Sequence, residues 1–173
     1  MTSYLNRISA LRKTTTYTLD EEGFGDETRF WSYNDIKQIQ LKYSPTRYYG
    51  GIYQCIVTSE WDEVTLSNRR YNGPADFEYQ NESYARFVHE LHQKLNSASG
   101  VRFVSGMSNL RFTMELVGSL ILFPLILYVI FIFGQLLVGG LVLFILLFRL
   151  VPYYKKNKPR SYLPSEVPDD LMP

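Results

Sequence analysis

The 173-residue sequence predicts an α+β domain followed by an α-helical membrane hairpin. Short segments between residues 14 and 80 alternate apolar and polar side chains, which is the period of β-strands. An apolar stripe over residues 81–96 has the period of an amphipathic helix. Residues 116–148 then form a run of 33 residues without a charged side chain. A run of that length argues against a fully soluble protein.

The charge balance and the cysteine content exclude several classes of function. The net charge is +1, and residues 1–110 hold 12 Lys and Arg against 13 Asp and Glu, so we expect no nucleic-acid partner. The single cysteine, Cys55, excludes an intramolecular disulfide framework and a cysteine-cluster metal site. We therefore expect neither a cofactor nor a metal ion.

Residues 1–13 are predicted to be a leader that precedes the domain. They lack the continuous apolar core of a secretory signal, so the domain is expected in the cytoplasm. Apolar residues at helical spacing stand beside cations here: Tyr4, Ile8 and Leu11 with Arg7, Arg12 and Lys13. Two interpretations stay open, a leader packed on the domain and a short helix lying on an anionic bilayer.

The domain itself is predicted to span residues 14–105. Its candidate strands are residues 14–19, 24–31, 36–43, 51–59, 64–68 and 101–104. The stripe of the predicted helix consists of Tyr84, Val88, Leu91 and Leu95, widened by Phe87. Antiparallel strands followed by one helix favour a small sheet or barrel whose opening the helix covers.

One stretch within this domain resembles a known family. The sequence FWSYNDIKQIQL, residues 30–41, has an aromatic and a small polar residue ahead of Asp-Ile-x-x-Ile. The matching residues are Trp31, Ser32, Tyr33, Asp35, Ile36 and Ile39. This pattern resembles the strand–turn–strand signature of bacterial pleckstrin-homology-like domains. The resemblance covers about residues 14–105 and implies a PH-like barrel or sheet, capped by its C-terminal helix, in a bacterial inner-membrane protein.

The uncharged run is predicted to form a helical hairpin within residues 111–152. As one straight helix, its 33 residues would be about 50 Å long, whereas the hydrocarbon core is about 30 Å thick. The predicted bend lies at Gly134 and Gln135, and Gly139 and Gly140 are the competing bend. Pro124 is expected to kink the first half.

Cations at both ends of the run predict its topology. Arg102 and Arg111 precede it, and Arg149 and a cluster of later cations follow it. The positive-inside rule places both ends, and hence both termini, on the cytoplasmic side of the inner (plasma) membrane. The hairpin either crosses twice or dips in and returns. Glu115 is expected to pair with Arg111 at the edge of the apolar core.

Residues 153–173 are predicted to be a proline-rich, extended cytoplasmic tail. Five of the eight prolines lie in the last 22 residues, and proline does not continue a helix. The tail is either a disordered stub or a strap lying along the domain or a partner. Its apolar anchors for a strap are Tyr162, Leu163, Val167, Leu171 and Met172.

The residue types that carry chemistry do not form a catalytic pattern. His89 and His92 lie three residues apart in HELH, which is not the HExxH pattern of zinc proteases. We expect a solvated or half-covered pair of histidines, with no metal and no catalytic residue. Cys55 lies in a predicted strand and is expected to be a small buried hydrophobe.

We therefore predict a membrane-anchored, non-enzymatic adaptor or accessory subunit that presents a PH-like, protein-binding domain at the cytoplasmic membrane face. Its expected partners are membrane lipid and either a membrane protein or a second copy of the chain. The alternative is a lipid-sensing or membrane-shaping hairpin protein. The candidate partner or lipid contacts are Lys42, Arg47, Tyr48, Tyr49, Arg69, Arg70, Lys155, Lys156, Lys158 and Arg160.

Overall fold

The computed structural model describes residues 2–46, 51–98, 100–132 and 136–173. These residues form an α+β chain with antiparallel sheets and three α-helices, which confirms the predicted class. The chain divides into two compact units. The sheet unit comprises the residues up to Gly106 together with Arg160–Pro173, and the helical unit comprises Met107–Pro159.

The strands and helices follow one another along the chain with short connections. The described strands are β1 (Thr2–Asn6), β2 (Thr15–Leu19), β3 (Gly23–Gly25), β4 (Phe30–Ser32), β5 (Ile36–Pro45), β6 (Gly51–Ser59), β7 (Glu63–Ser67), β8 (Arg69–Gly73), β9 (Asp76–Tyr79), β10 (Arg102–Ser105) and β11 (Arg160–Ser161). The helices are α1 (Asn81–Leu95), α2 (Asn109–Ile132) and α3 (Leu136–Asn157).

The first sheet has the order β1-β2-β3-β4 and is antiparallel throughout. The predicted leader therefore contributes a strand, because its side chains alternate: Tyr4 and Asn6 are buried, whereas Ser3 is exposed. That two-residue period rules out a helix over Thr2–Asn6. The predicted strand at residues 24–31 is divided into β3 and β4 by a turn in which the Asp26 carboxylate accepts the backbone N–H groups of Thr28 and Arg29.

The second sheet has the order β11-β10-β5-β6-β7. Strands β5, β6 and β7 are antiparallel neighbours in chain order, as predicted. Strand β10 returns after α1 and pairs with β5 in parallel. Strands β11 and β7 remain as the two edges of this sheet, so the described residues form open sheets and not a closed barrel.

The core lies between α1 and the sheets. All five residues of the predicted helical stripe are fully buried, which confirms it: Tyr84, Phe87, Val88, Leu91 and Leu95. Aromatic rings extend this core into the first sheet, where Phe24 stacks between Tyr17 and Trp31 at centroid distances of 5.4 and 5.2 Å. Aromatic rings bury large apolar areas, and pairs of rings are further stabilised when they pack in offset-stacked or edge-to-face arrangements.

The segment from Arg160 to Pro173 belongs to the sheet unit. It begins with β11 and ends in a short 3₁₀ helix, Asp169–Leu171, which places Leu171 in the core at 1% exposure. Residues 160–173, which we call the strap, therefore pack against the rest of the sheet unit and do not form a disordered stub. The extended tail begins later than residue 153, because α3 continues through Pro152 to Asn157.

The helical unit consists of α2 and α3, which run antiparallel. Phe112, near the start of α2, contacts Tyr154, near the end of α3, with ring centroids 5.8 Å apart. Within the described residues, α2 is the one helix whose length and mean hydropathy of 2.4 suit it to cross a membrane. Pro124 lies inside this helix.

The predicted bend residues separate into two groups. Gly134 and Gln135 lie outside the described residues. Gly139 and Gly140 lie inside α3 and do not form a bend. A Cβ atom on Gly139 would stand 2.3 Å from Cγ2 of Ile130, so the glycine allows the two helices to approach closely.

Candidate functional site

Along the chain, strand β10 comes directly before the helical unit and strand β11 comes directly after it. Ser105 of β10 and Arg160 of β11 are register partners. The Ser105 hydroxyl donates to the Arg160 carbonyl at 3.3 Å, and Arg160 Nε donates to Ser105 Oγ at 3.1 Å. The Arg160 guanidinium also pairs with the Asp170 carboxylate. We call this pair of strands, with its side-chain contacts, the clasp.

His92 anchors the strap beside the clasp. Its Nδ1 lies 2.7 Å from the Val88 carbonyl oxygen, and its Nε2 lies 2.9 Å from the Tyr162 hydroxyl. A carbonyl only accepts, so Nδ1 carries the proton and Nε2 accepts from Tyr162. The ring also stacks on Tyr162 at 5.8 Å and contacts Phe103 at 5.4 Å.

The expectation of two solvated or half-covered histidines is wrong for His92. Its exposure is 1%, because the strap covers it. In the sequence, His92 lies at the edge of the apolar stripe, so the helical pattern alone did not predict its burial. Burial lowers the pKa of His92 to about 4, so the ring is neutral at physiological pH. His89 is exposed on the same helix, and the described residues contain no cluster of three metal-ligating side chains.

Cys55 is fully buried in β6, as expected. Burial raises the pKa of its thiol to about 12. The thiolate is the nucleophilic form of cysteine, so a buried neutral thiol of this kind is chemically inert.

The structure separates the predicted contact residues. Arg69 and Arg70 share strand β8, Lys42 is half-buried on β5, and Lys155 and Lys156 lie in the last turn of α3. Lys158 follows α3 and is exposed, and Arg160 belongs to the clasp. Arg47, Tyr48 and Tyr49 lie outside the described residues.

Strands β8 and β9 form a two-stranded ribbon that sequence reasoning missed. The Arg69 guanidinium lies 4.0 Å from the ring centroid of Phe77, and Arg70 pairs with Glu78 at 2.5 Å. Tyr71 contacts Phe77 with ring centroids 5.5 Å apart. Every residue of β9 is exposed. The turn sequence at residues 71–74 by itself indicates only a turn. The aromatic residues on both sides of it were the sequence signal that could have predicted two paired strands.

Two further apolar side chains are exposed at loop tips of the sheet unit. Leu11, between β1 and β2, is 97% exposed, and Trp61, between β6 and β7, is 90% exposed. The two loops border one groove, and Arg29 Nη1 donates to Asp62 in that groove at 2.5 Å.

The helical unit carries one polar cluster. Arg111 Nε donates to Glu115 Oε1 at 2.9 Å, which confirms the expected pair. The Tyr153 hydroxyl donates to Glu115 Oε2 at 3.0 Å, and the Tyr154 hydroxyl donates to the Glu115 carbonyl at 3.0 Å. These bonds join α2 to α3 and satisfy a carboxylate on an otherwise apolar helix.

No family model, curated protein or solved structure matches this chain. The stretch at residues 30–41 does adopt strand, 3₁₀ turn and strand, through β4, Tyr33–Asp35 and β5. That local conformation is the one the resemblance implies, and membership of the PH-like family stays a prediction.

Proposed function

We propose that this chain is a membrane-anchored, non-enzymatic adaptor or accessory subunit, whose PH-like sheet unit binds a protein partner at the cytoplasmic face of the inner (plasma) membrane. The clasp is the observation that carries this proposal. Strand β10 leads into the helical unit and β11 leads out of it, and Ser105 and Arg160 are paired across the two strands. An apolar segment whose two ends are paired in one sheet begins and ends on the same side of a membrane.

The lengths and charges of the helices support a hairpin with both ends in the cytoplasm. Helix α2 has 24 residues, which rise about 36 Å and so suffice for a hydrocarbon core of about 30 Å. Arg111 begins this segment, and Lys155 and Lys156 end it. By the positive-inside rule, these cations favour a cytoplasmic location for both ends of the segment.

The state of the reactive side chains supports a binding role. His92 is buried, neutral and hydrogen-bonded at both ring nitrogens, and Cys55 is a buried neutral thiol. Neither group offers a free lone pair or an acidic proton to a substrate in solution. We therefore assign the sheet unit a binding role, which its outer surface would carry.

The ribbon is the surface that we assign to the protein partner. It exposes Phe77 and Tyr79 beside Arg69, and aromatic residues and arginine are enriched among the residues that dominate binding energy. The stacked guanidinium of Arg69 holds the Phe77 ring in place, so little side-chain freedom is lost on binding.

Affinity purification of the full-length protein in mild detergent, followed by mass spectrometry, tests the proposal. The wild-type protein is expected to retain a membrane protein in a fixed ratio, and the double variant Phe77→Ala/Tyr79→Ala is expected to lose it. Phe30→Ala is the matched control, because Phe30 is an exposed aromatic residue on the first sheet and not on the ribbon. A protein that purifies as a monomer or homo-oligomer would contradict the adaptor proposal and favour the lipid-sensing alternative.

A further inference from the structure

The ribbon formed by β8 and β9 has one edge that no described residue covers. Strand β8 is bonded on its outer side, where the Tyr71 N–H donates to the Arg7 carbonyl at 2.8 Å. Strand β9 (Asp76–Tyr79) pairs with β8 alone among the described residues, and all of its residues are exposed. The N–H and C=O groups along such an edge can pair with another extended chain.

The register of the ribbon shows which backbone groups of β9 point to this edge. Tyr71 and Phe77 lie opposite each other, and the Tyr71 N–H is turned away from β9. Opposed residues of an antiparallel pair either exchange both hydrogen bonds or make none, so the N–H and C=O groups of Phe77 also point away from β8. The Gln80 N–H donates to the Asn68 carbonyl at 2.7 Å, which continues this alternation and directs the groups of Tyr79 outward as well.

One face of the ribbon combines aromatic rings with arginines. Arg69 and Tyr79 are register partners, as are Tyr71 and Phe77, so these four side chains share a face. The Arg69 guanidinium lies 4.0 Å from the Phe77 ring centroid, and the Arg7 guanidinium lies 5.1 Å from that of Tyr71. Neither arginine takes part in an ion pair among the described residues. We call this the aromatic face.

The opposite face of the ribbon carries carboxylates. Arg70 and Glu78 are register partners, and their side chains pair at 2.5 Å. Asn72 Nδ2 donates to the same carboxylate at 3.3 Å. Asp76 alternates with Phe77 along β9, is exposed, and has no ion-pair partner among the described residues. Two carboxylates against one cation leave this face negative, whereas the aromatic face is positive.

We propose that an extended acidic segment of the protein partner adds to β9 as a further strand. The proposal rests on the proposed function and names the chemistry of the partner. The backbone of this segment pairs with the outward groups of Phe77 and Tyr79. Its carboxylates, at every second position, lie on the aromatic face, where the Arg69 guanidinium donates charge-assisted hydrogen bonds to them. The intervening side chains face Asp76 and Glu78 and are therefore uncharged or basic.

A second copy of this chain is a poorer occupant of the same edge. Directly opposed residues of an antiparallel pair share a face, so pairing of β9 with itself would set Asp76 against Glu78 of the second copy. Like charges that lie opposite each other destabilise a strand pair. An acidic segment whose charges lie on the aromatic face avoids that repulsion.

Fluorescence anisotropy of a labelled synthetic peptide in which glutamate and threonine alternate tests the proposal, with the full-length protein in mild detergent. The peptide is expected to bind about tenfold more tightly than a matched peptide of alternating glutamine and threonine. Two further peptides carry backbone N-methyl groups, one on every glutamate nitrogen and the other on every threonine nitrogen. Alternate N–H groups of a paired strand point toward and away from its neighbour, so only one of the two sets should abolish binding. It is the glutamate set for an antiparallel strand and the threonine set for a parallel one.

A matched pair of arginine variants tests the charge contact. Arg69→Gln is expected to weaken binding of the glutamate peptide about tenfold, because it removes the guanidinium that the carboxylates contact. Arg86→Gln is the control, since Arg86 is an exposed arginine on α1, and it should leave the affinity unchanged. The effect of Arg69→Gln should be absent with the glutamine peptide, which a general disturbance of the ribbon would not produce.

Three results would overturn the proposal. The first is equal binding of the glutamate and glutamine peptides. The second is an equal effect of the two methylated sets, which would show that the peptide does not pair as a strand. The third is a glutamate peptide that binds only after a dimer of the protein dissociates, which would place a second copy on this edge.

The peptide experiment and the purification experiment fail separately. A Phe77→Ala/Tyr79→Ala protein that loses its membrane partner, while the wild type binds no acidic peptide, would reject the acidic strand alone. A wild-type protein that binds the glutamate peptide but retains no membrane protein would contradict the proposed function alone.

Discussion

The Tyr162 hydroxyl donates a hydrogen bond of 2.9 Å to Nε2 of His92, across 70 residues of chain. This bond joins the strap to α1 and closes the sheet unit after the chain has passed through the helical unit. The imidazole accepts it only while the ring is neutral, because a protonated Nε2 is a donor. The attachment of the strap is therefore linked to pH.

We expect the stability of the sheet unit to fall as the pH falls from about 6.5 to about 4. The pKa of His92 is about 4 in the folded protein and about 6.5 in the unfolded chain. Between these values the unfolded chain binds the additional proton, so the free energy of unfolding rises with pH across this window. The full effect is on the order of 3 kcal/mol.

Urea unfolding followed by Trp31 fluorescence, at pH 7 and at pH 4.5, measures this dependence. The variant His92→Gln is expected to be less stable at pH 7 but to lose less stability on acidification than the wild type. His89→Gln is the control, since His89 is exposed, and it should keep the wild-type dependence. Equal pH dependence in wild type and His92→Gln would show that another group dominates.

We expect Leu171→Ala to release the strap. Leu171 is buried at 1% exposure, and removal of a buried leucine side chain costs about 3 kcal/mol. Limited proteolysis with intact-mass detection should then show new cleavage within residues 160–173. Leu163→Ala removes the same number of atoms from an exposed position of the strap, and protease resistance should be unchanged. A Leu171→Ala protein as resistant as the wild type would show that β11 and Tyr162 suffice to hold the strap.

We expect alanine to be tolerated at Gly140 and not at Gly139. A Cβ at Gly139 would lie 2.3 Å from Cγ2 of Ile130, whereas a Cβ at Gly140 meets no atom within 4 Å. An alanine at Gly139 would force α2 and α3 apart, and we expect it to lower the free energy of unfolding by about 2 kcal/mol. Thermal unfolding in detergent, monitored by circular dichroism, should show a lower midpoint for Gly139→Ala than for Gly140→Ala. Equal midpoints would indicate that Ile130 rotates away without loss.

We expect residues 97 and 165 to lie on the same side of the membrane. Ser97 and Ser165 are exposed, and the native Cys55 is buried and so should not react. Single Ser97→Cys and Ser165→Cys variants are both expected to be protected from a membrane-impermeant maleimide in right-side-out vesicles and labelled in inverted ones. Labelling from opposite sides would contradict the hairpin.

A cysteine at Gln135 distinguishes the two forms of hairpin. Labelling of Gln135→Cys in right-side-out vesicles indicates that the segment crosses twice. Protection there, with labelling only after solubilisation, indicates that it dips and returns. The length of α2 leads us to expect the first result.

Parts of the fold with a strong local period were predictable from sequence. The stripe of α1 emerged as predicted, because the helix buries one face against the core and its pattern reports that burial. The bounds of β6 also agree with the predicted strand. Strand β1 was missed because Tyr4, Ile8 and Leu11 also fit a helical spacing, and only pairing with β2 selects the extended form. The ribbon was missed because its strands are short and largely exposed.

The sequence by itself determined the composition of the two units: an uncharged run too long for one crossing, cations at both of its ends, and an amphipathic helix before it. These properties are local, since hydrophobic period and charge act over a few turns of chain. The tertiary structure alone decided that β11 pairs with β10 and that Tyr162 contacts His92. Such contacts join residues 50 or more positions apart, as the Ser105–Arg160 pair at a separation of 55 shows. They form only when the folded chain offsets the entropy of closing so long a loop.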